Sequence, residues 1–265
     1  MTDDVSWSKL TASELNDRAA RDAIVLLPVA STEQHGPHMA TGVDTVLCSE
    51  VCRRTAVRVA SARPVVVAPC VWMGLAEHHV AFGGTFTVSL ATWHALLRDL
   101  CMSIKRAGFH KVAIINGHGG NMAALSALTT DLTRETGLAV ATTSYWDLAH
   151  AAGAFDEILE TQSGVQHACE AETSMMLAVA SDDVRRESLD QAFGPDLPMG
   201  RALGGGLSRW RSFKEISASG VLGDARAATP EKGQRLLDSA AELLAEQLIA
   251  GKPWDEISTS AADGT

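Results

Sequence analysis

The sequence has no long apolar run, no surplus of basic residues and no dense cysteine pattern. Its longest apolar stretch near the N-terminus is the eight residues Ala23–Ala30, whereas a helix that crosses a bilayer needs about 20. Lys and Arg total 22 against 32 Asp and Glu, a formal charge of −10, and phosphate binding needs clustered Lys and Arg. These absences predict a protein with neither a membrane nor a nucleic-acid partner.

The N-terminus and the cysteines indicate the compartment. Residues 1–7 are acidic and lack the basic and apolar regions of a signal peptide. The five cysteines are odd in number and form no dense framework, so they are interpreted as reduced thiols rather than as disulfides. The sequence therefore predicts a cytoplasmic location.

The chain alternates short apolar runs with longer amphipathic ones. Its 265 residues are 46% apolar and 20% charged, which is typical of a packed globular protein, and we interpret 1–265 as a single domain. Strands are predicted at Ala23–Ala30, Pro64–Trp72, Thr85–Val88, Lys111–Ile115 and Leu138–Tyr145. Helices are predicted at Val43–Val59, Leu90–Ala107, Asn121–Thr136, Glu170–Ala180 and Pro230–Ile249.

This alternation predicts βαβ units and the α/β fold class, with a mainly parallel sheet flanked by helices on both faces. Such sheets hold their functional sites at the carboxyl ends of the strands. The main predicted strands end at Ala30, Trp72, Ile115 and Tyr145. The Gly-rich stretch Gly200–Gly206 predicts a mobile loop or a plain surface connection, and residues 251–265 are expected to form a flexible tail.

The first segment with chemical potential follows the first predicted strand. It places Glu33, His35, His38 and Asp44 within twelve residues, in a loop that contains glycine and proline. Carboxylates and imidazoles are ligands for divalent metals. Taken alone, the segment is equally consistent with a turn that is polar by chance.

Two further segments follow later strands. Asn116–Asn121 holds His118 among three glycines, which suits a tight turn with a buried histidine or a phosphate-binding turn. His167 and Glu172 reach one site only if His167 lies in a loop and Glu172 on the first turns of a helix. The alternatives are an acidic helix N-terminus without function and a Cys/His hydrolase built on Cys169 and His167.

Together the segments supply three carboxylates and two imidazoles. This mixed set favours a pair of divalent ions over a structural zinc, which prefers thiolates. The five candidate ligands are Glu33, His35, Asp44, His118 and Glu172.

In these segments the sequence resembles the creatininase family, also called creatinine amidohydrolases. The motifs that carry the resemblance are Ser31–His38 with Asp44, Glu77–Thr85, Asn116–Asn121, His167 with Glu172–Ser174, and Gly220–Asp224. The resemblance covers about residues 24–235. It implies an α/β fold, a metal centre that hydrolyses non-peptide C–N bonds, and a homo-oligomer, often a hexamer.

The resemblance also implies residue roles. Glu33, His35, Asp44 and His118 match family metal ligands, with Asp44 at the position of the bridging carboxylate. Glu172 matches an acidic position at the metal centre, and His167 matches a proton-transfer histidine.

Two departures from creatininase itself bear on the substrate. A metal-binding glutamate of creatininase is replaced here by Gly120, and Glu172 is expected to supply the missing ligand. Trp146 matches one of two tryptophans that close over the substrate, but the other has no counterpart near Ser163. The Asn-Gly-His-Gly-Gly-Asn motif instead resembles the broader family, which includes formamide deformylases and the mycofactocin-precursor peptidase, so creatinine is not the expected substrate.

The resulting hypothesis is metal-assisted hydrolysis of a small amide. Two divalent ions per subunit, Zn²⁺ or Mn²⁺ with Fe²⁺ or Co²⁺ as alternatives, would supply hydroxide near neutral pH. His167 would protonate the departing nitrogen, and Glu172 is the second catalytic candidate. The substrate-binding candidates are Trp146, His78, Gly119 and Gly120.

Three other functions remain open at this point. They are a peptidase of the mycofactocin-precursor type, a metal-dependent isomerase or lyase, and a binding protein without catalysis. Histidines outside the predicted centre are interpreted as ordinary core or surface residues: His38, His79, His94, His110 and His150.

Overall fold

Four strands and eight α-helices lie within residues 4–197 and 209–254, the part of the chain that the computed structural model describes. The predicted loop Gly200–Gly206 and residues 255–265 of the predicted tail lie outside the described residues. The strands are β1 (Ile24–Val29), β2 (Val65–Val67), β3 (Lys111–Asn116) and β4 (Ala139–Ser144). The helices are α1 (Ala12–Ala20), α2 (Val43–Val59), α3 (Leu90–Arg106), α4 (Met122–Thr136), α5 (Asp147–Ala151), α6 (Glu170–Val179), α7 (Phe213–Ile216) and α8 (Pro230–Ile249).

The strands form one parallel sheet in the order β2-β1-β3-β4. β1 lies inside the sheet, where Val25 pairs with Val66 on one side and with Val112 on the other. The connection after β1 leads to β2 on one side of β1, and the connection after β2 leads back to β3 on the other side. The order of the strands therefore reverses between β1 and β3. Open α/β sheets bind ligands in the crevice outside the carboxyl ends of the strands at such a switch point.

Helices cover both faces of the sheet because both faces of its central strands are apolar. Ile24 and Leu26 belong to the core shared with α2, α6 and α8. Val25 and Leu27 belong to the core shared with α3 and α4. Every residue of β1 is buried, as expected for a parallel strand covered on both sides. The predicted α/β fold is confirmed.

Local signals explain where the long helices begin. The Ser89 side chain accepts a hydrogen bond from the Thr92 backbone N–H and caps α3. Thr229 caps α8 in the same way, and Pro230 occupies its first turn, where the missing N–H costs nothing. These caps lie at the boundaries that the amphipathic pattern predicts.

Two predicted strands are shorter than expected. The segment Pro64–Trp72 forms only the three-residue β2, because Pro69 has no N–H for the ladder, and pairing returns as a single bridge between Val29 and Val71. The predicted strand Thr85–Val88 is likewise reduced to one bridge, between Gly74 and Thr87. The second segment nevertheless contacts the loop after β1, because the Gln34 N–H donates to Thr85 Oγ1 and the Phe86 N–H donates to the Thr32 carbonyl.

Other elements were not predicted at all. α1 begins with a capping box between Thr11 and Glu14, and residues Glu77–Phe82 form a 3₁₀ helix. Trp254 donates its Nε1–H to the Ala139 carbonyl at 3.1 Å, so residues 251–254 lie against the sheet rather than in a flexible tail. Among the described helices, none is long and apolar enough to cross a membrane.

Candidate metal centre

The candidate metal centre lies at the carboxyl ends of β1 and β3, in the crevice at the switch point. The loop after β1 carries Glu33 and His35, the first turn of α2 carries Asp44, and the turn after β3 carries His118. Glu172 enters from the first turn of α6. None of the five side chains belongs to a residue more than 4% exposed, so four separate parts of the chain bring buried ligands to one point.

Asp44 lies between two halves of the centre. In one half, His118 Nδ1 lies 2.9 Å from Glu33 Oε2 and 3.2 Å from Asp44 Oδ2. In the other half, His35 Nε2 lies 3.1 Å from Asp44 Oδ1 and 3.9 Å from Glu172 Oε2. The two oxygens of one carboxylate are therefore directed to different halves.

Several buried atoms of the centre have no hydrogen-bond partner among the described residues. They include Glu33 Oε2, His35 Nε2 and Asp44 Oδ2. Such atoms are costly to bury without a partner, and here they face one another. Three groups of ligating atoms each fall within 4.8 Å: Glu33, His35 and Asp44; His35, His167 and Glu172; and Glu33, His79 and His167. The donor set of carboxylates and imidazoles fits a divalent cation.

Backbone carbonyls fix the nitrogen that each ligating imidazole presents. His35 Nδ1 lies 3.1 Å from the Glu33 carbonyl oxygen, and His118 Nε2 lies 3.3 Å from the Leu75 carbonyl oxygen. Only a protonated nitrogen donates to a carbonyl, so the other nitrogen of each ring is the one that faces the centre and that a cation would bind. Metal-binding histidines are oriented by outer contacts of this kind.

Glu172 is oriented by a strained turn. Ala168 adopts a φ of 53°, a left-handed conformation that is uncommon for a residue with a Cβ. Its backbone N–H donates to Glu172 Oε2 at 2.5 Å. This conformation between His167 and α6 lets both side chains reach the centre, and such strain is characteristic of functional sites.

The electrostatics of the centre favour a cation. Burial raises the pKa of Glu172 to about 8 and also raises the pKa of Glu33. Burial acts to lower the pKa of each histidine, but Asp44 raises that of His35 to about 9 and Glu33 raises that of His118 to about 10. Burial opposes the ionisation of Asp44, yet His35 holds its pKa below the usual range. A cation bound here therefore competes with protons.

The family model described as creatininase, creatinine amidohydrolase, matches residues 8–248. The chain belongs to the creatininase family. A mycofactocin precursor peptide peptidase from Mycolicibacterium smegmatis is 29% identical over 237 residues, which cover 87% of this chain and 86% of that protein. A creatinine amidohydrolase from Pseudomonas putida is 27% identical over 263 residues, which cover 94% of this chain and 97% of that protein.

Solved structures of the family have the same fold. A crystal structure of creatinine amidohydrolase (creatininase) matches with a TM-score of 0.81 and 25% identity, over 95% of this chain and 99% of that one. The predicted resemblance is confirmed. Family membership together with the cluster of metal-ligating residues makes the chain a metal-dependent amidohydrolase.

The structure brings all five predicted ligands and His167 together. His167 lies in the loop before α6, with Nδ1 3.5 Å from Glu33 Oε1, while Glu172 lies on the first turn of that helix. This is the arrangement under which both were expected to reach one site. Their individual roles in binding and catalysis stay predictions.

Gly120 is a glycine for steric reasons. A Cβ at this position would lie 2.4 Å from the Leu75 carbonyl oxygen, 2.5 Å from His118 Nε2 and 2.7 Å from His78 Cε1. A glutamate at this position, as in creatininase itself, does not fit the present arrangement. Gly120 instead lets the Leu75 carbonyl and the His118 ring approach each other.

The other predicted substrate-binding residues lie at different depths. His78 is 8% exposed and its ring stacks on His118 with centroids 5.7 Å apart. Gly119 is buried in the turn before α4. Trp146 is half-buried against the core and meets Tyr145 edge-on at 4.8 Å, so its packing on a substrate stays a prediction.

Four residues near the centre were missed. His79, interpreted as ordinary, is buried with Nε2 3.3 Å from Glu33 Oε1, and this corrects that interpretation. Gln34 contacts both His79 and His167, and Phe213 packs on both of their rings. The hydroxyl of Tyr145, the only tyrosine, is buried without a hydrogen-bond partner among the described residues. Only the adjacent His78-His79 pair in a family segment gave a signal in the sequence.

The surroundings of Cys169 disfavour a nucleophilic thiolate. It is buried, and burial raises the pKa of its thiol to about 12. The thiolate is the reactive form of cysteine, so the side chain stays protonated near neutral pH. The Cys/His hydrolase alternative is therefore not supported.

Proposed function

We propose that the chain hydrolyses a small non-peptide amide, a cyclic amide or a formamide, with two divalent metal ions per subunit. The observation that carries this proposal is Asp44, which directs one oxygen to each half of the centre. Glu33 and His118 would complete one half, and His35 and Glu172 the other. A carboxylate between two ions is a recurring feature of binuclear hydrolases.

Zinc and manganese are the preferred ions. Solved relatives include one described as a manganese creatininase and one described as a zinc–zinc type, and the mixed nitrogen and oxygen ligands suit either metal. The ions would polarise the substrate oxygen and lower the pKa of water near neutrality. The carboxylate of Glu172 would supply the ligand that Gly120 lacks.

We propose that His167 moves a proton during the reaction. Burial holds its pKa well below the usual range for histidine, so the ring is neutral and one nitrogen carries a lone pair. His167 Nδ1 faces Glu33 Oε1 at 3.5 Å, inside the centre. It would accept a proton there and return it to the departing nitrogen.

Buried walls around the ligands would exclude bulk water. Phe213 is fully buried against His79 and His167, and His78 covers His118. We propose that His78 and the amide of Gly119 orient the substrate, with Trp146 packing on its planar part. Exclusion of water strengthens each electrostatic contact in such a site.

The test is metal removal and return. Chelation is expected to abolish hydrolysis in a panel of hydantoins, formamides, creatinine and short peptides, and Zn²⁺ or Mn²⁺ is expected to restore it. Glu33→Gln and His118→Ala should lose metal and activity together, while Glu231→Gln, an exposed acid in the first turn of α8, serves as the matched control. Full activity of Glu33→Gln after chelation would refute the metal assignment.

A peptidase is the second candidate. It is favoured by the relative from Mycolicibacterium smegmatis, which is named as a peptidase and is 29% identical over 87% of this chain. The same centre would polarise a peptide carbonyl. Turnover of short peptides without turnover of cyclic amides or formamides would decide for this candidate.

We also propose that the chain forms a homo-oligomer, a hexamer, in the cytoplasm. Trp72 and Phe86 are 44% and 59% exposed and pack against each other edge-on, with centroids 5.5 Å apart. Exposed aromatic pairs of this size are common at interfaces between subunits. Light scattering of the purified protein measures the subunit number directly, and a monomer would contradict the proposal.

A further inference from the structure

The side-chain amide of Gln34 has one allowed orientation. Its Oε1 accepts from the Gly36 backbone N–H at 2.9 Å, and its Nε2 donates to the Gly220 carbonyl at 3.1 Å. Exchange of the oxygen and nitrogen would set two acceptors against each other at Gly220 and two donors at Gly36. The amide therefore keeps one N–H for a second partner.

Two histidines compete for that N–H. Gln34 Nε2 lies 2.9 Å from His79 Nδ1 and 2.9 Å from His167 Nε2. His167 Nε2 also lies 2.9 Å from the Gln34 backbone carbonyl, which only accepts. If that nitrogen carries hydrogen, it donates to the carbonyl and the amide hydrogen is left for His79; if it does not, both the carbonyl and His79 Nδ1 lose their partner. The first arrangement makes more hydrogen bonds, so we assign hydrogen to His167 Nε2.

The remaining amide hydrogen goes to His79 Nδ1, which must then be the unprotonated nitrogen of its ring. A ring that accepts on Nδ1 carries its own hydrogen on Nε2, and a neutral His167 with hydrogen on Nε2 has none on Nδ1. The two rings thus have hydrogen on Nε2, but they present opposite groups to the centre. His79 presents an N–H and His167 presents a lone pair.

We propose that Gln34 is a positioning residue that fixes the tautomers of two stacked histidines, leaving His79 Nε2 as a hydrogen-bond donor and His167 Nδ1 as a proton acceptor. The rings lie parallel enough to stack, with centroids 4.4 Å apart and an interplanar angle of 30°. Their inward nitrogens both face Glu33 Oε1, at 3.3 Å from His79 and 3.5 Å from His167.

The surroundings hold this arrangement in place. A Cβ at Gly220 would lie 2.2 Å from Gln34 Oε1, so only glycine lets the amide reach the Gly220 carbonyl. Phe213 packs on both rings, at 4.3 Å from His79 and 4.8 Å from His167. The histidines therefore cannot turn over without displacing a buried aromatic ring.

The nearest acceptor to His79 Nε2 is Glu33 Oε1 at 3.3 Å, and the two atoms do not form a hydrogen bond in this geometry. This chemical use of the two rings rests on the proposed function, whereas the tautomers do not. A fixed N–H beside the centre would stabilise negative charge that develops on the substrate oxygen. The neighbouring lone pair of His167 would take the proton that the reaction releases.

Neutron diffraction from crystals of the full-length, deuterated protein measures the tautomers directly. Deuterium is expected on Nε2 of both His79 and His167 and absent from Nδ1 of both. Deuterium on His79 Nδ1 would overturn the inference. Because this measurement uses the unaltered protein, it decides the question even if no variant folds.

Variants test the part played by Gln34. In Gln34→Glu an ionised carboxylate only accepts, so the deuterium of His79 is expected to move to Nδ1. His38→Gln is the matched control, because His38 is buried against Thr173 Oγ1 at 2.7 Å and does not contact Gln34. Unchanged tautomers in Gln34→Glu would show that the amide does not set them.

A matched pair of substitutions tests the donor. His79→Gln keeps an N–H near the position of Nε2, whereas His79→Asn is too short to place one there. On the amide that the panel identifies, kcat is expected to fall about 100-fold to 1000-fold in His79→Asn, the usual loss for one donor of this kind, and less than about 10-fold in His79→Gln. Equal losses in the two variants would reject the donor role.

The outcomes separate the two proposals. Tautomers as expected, with activity that survives chelation, would refute the proposed function and leave the role of Gln34 intact. Metal-dependent activity with the opposite His79 tautomer would do the reverse.

Discussion

Metal binding at the centre is expected to be steeply dependent on pH. Without a metal, the pKa values of His35 and His118 are raised to about 9 and about 10, and burial raises that of Glu172 to about 8. All three groups hold a proton at pH 7. A cation takes the same lone pairs, so binding must release these protons.

The size of the change in metal affinity with pH follows from the number of protons that are released on binding. Between pH 7 and pH 6 each of the three groups is almost fully protonated without metal, so about three protons leave when the ions bind. Each released proton weakens binding about tenfold per unit fall in pH, which makes about 1000-fold in total, or about 4 kcal/mol. Affinity rises with pH because deprotonation is then less costly.

Isothermal titration calorimetry with Zn²⁺ measures this release. Titrations at one pH in buffers of different ionisation enthalpy give the number of protons directly, and titrations at several pH values give the slope of affinity. Glu172→Gln has no proton to release, so its count is expected to fall from about three to about two. The exposed variant Glu231→Gln is expected to keep the wild-type count.

A release of less than one proton, with an affinity that is flat between pH 6 and pH 7, would refute the reasoning. It would mean that the ligands already present free lone pairs before the cation arrives. The carboxylates would then not raise the histidine pKa values as their distances require.

Three further predictions concern residues around the centre. Gly120→Ala is expected to weaken Zn²⁺ binding in the same titration, because its Cβ would displace the His118 ring; unchanged affinity would contradict that reason. Cys169→Ser should keep kcat within about twofold, since a protonated thiol does no chemistry; loss of activity with normal metal content would revive the nucleophile. Lys232→Ala should lower the unfolding free energy by about 3 kcal/mol, because Lys232 Nζ lies 2.6 Å from the buried Glu170 Oε1. Urea denaturation measures this loss, and Arg235→Ala on the same helix is the control.

The sequence predicts most of the fold because its strands are buried on both faces. Such strands appear as apolar runs, and the helices between them keep an amphipathic period. The prediction was wrong where few residues pair: β2 is short because Pro69 cannot donate to the ladder, and Thr85–Val88 makes one bridge. α1 lies on the surface without a buried residue, so its apolar pattern is too weak to stand out.

The candidate ligands could be predicted for a topological reason. Glu33, His35 and His118 follow strand ends, and parallel strands bring their carboxyl ends to one edge of the sheet. Asp44 joins them because α2 begins directly after the loop from β1. To predict Glu172 at the centre, one further condition is required: the turn before α6 must direct both His167 and Glu172 inward. The left-handed conformation of Ala168 provides this turn.

His79 and Gln34 were not predictable by the same reasoning. His79 lies on a 3₁₀ helix, twelve residues after the end of β2, and in the centre its ring packs against Phe213, more than a hundred residues later. Gln34 is one position from a ligand, yet its amide acts through Gly220, from a distant loop. The candidate ligands are set by nearby topology, whereas the groups that we propose to orient protons are set by long-range packing. For this chain, the spacing of the candidate ligands predicts a metal centre, and the folded structure adds the residues that we propose to position its protons.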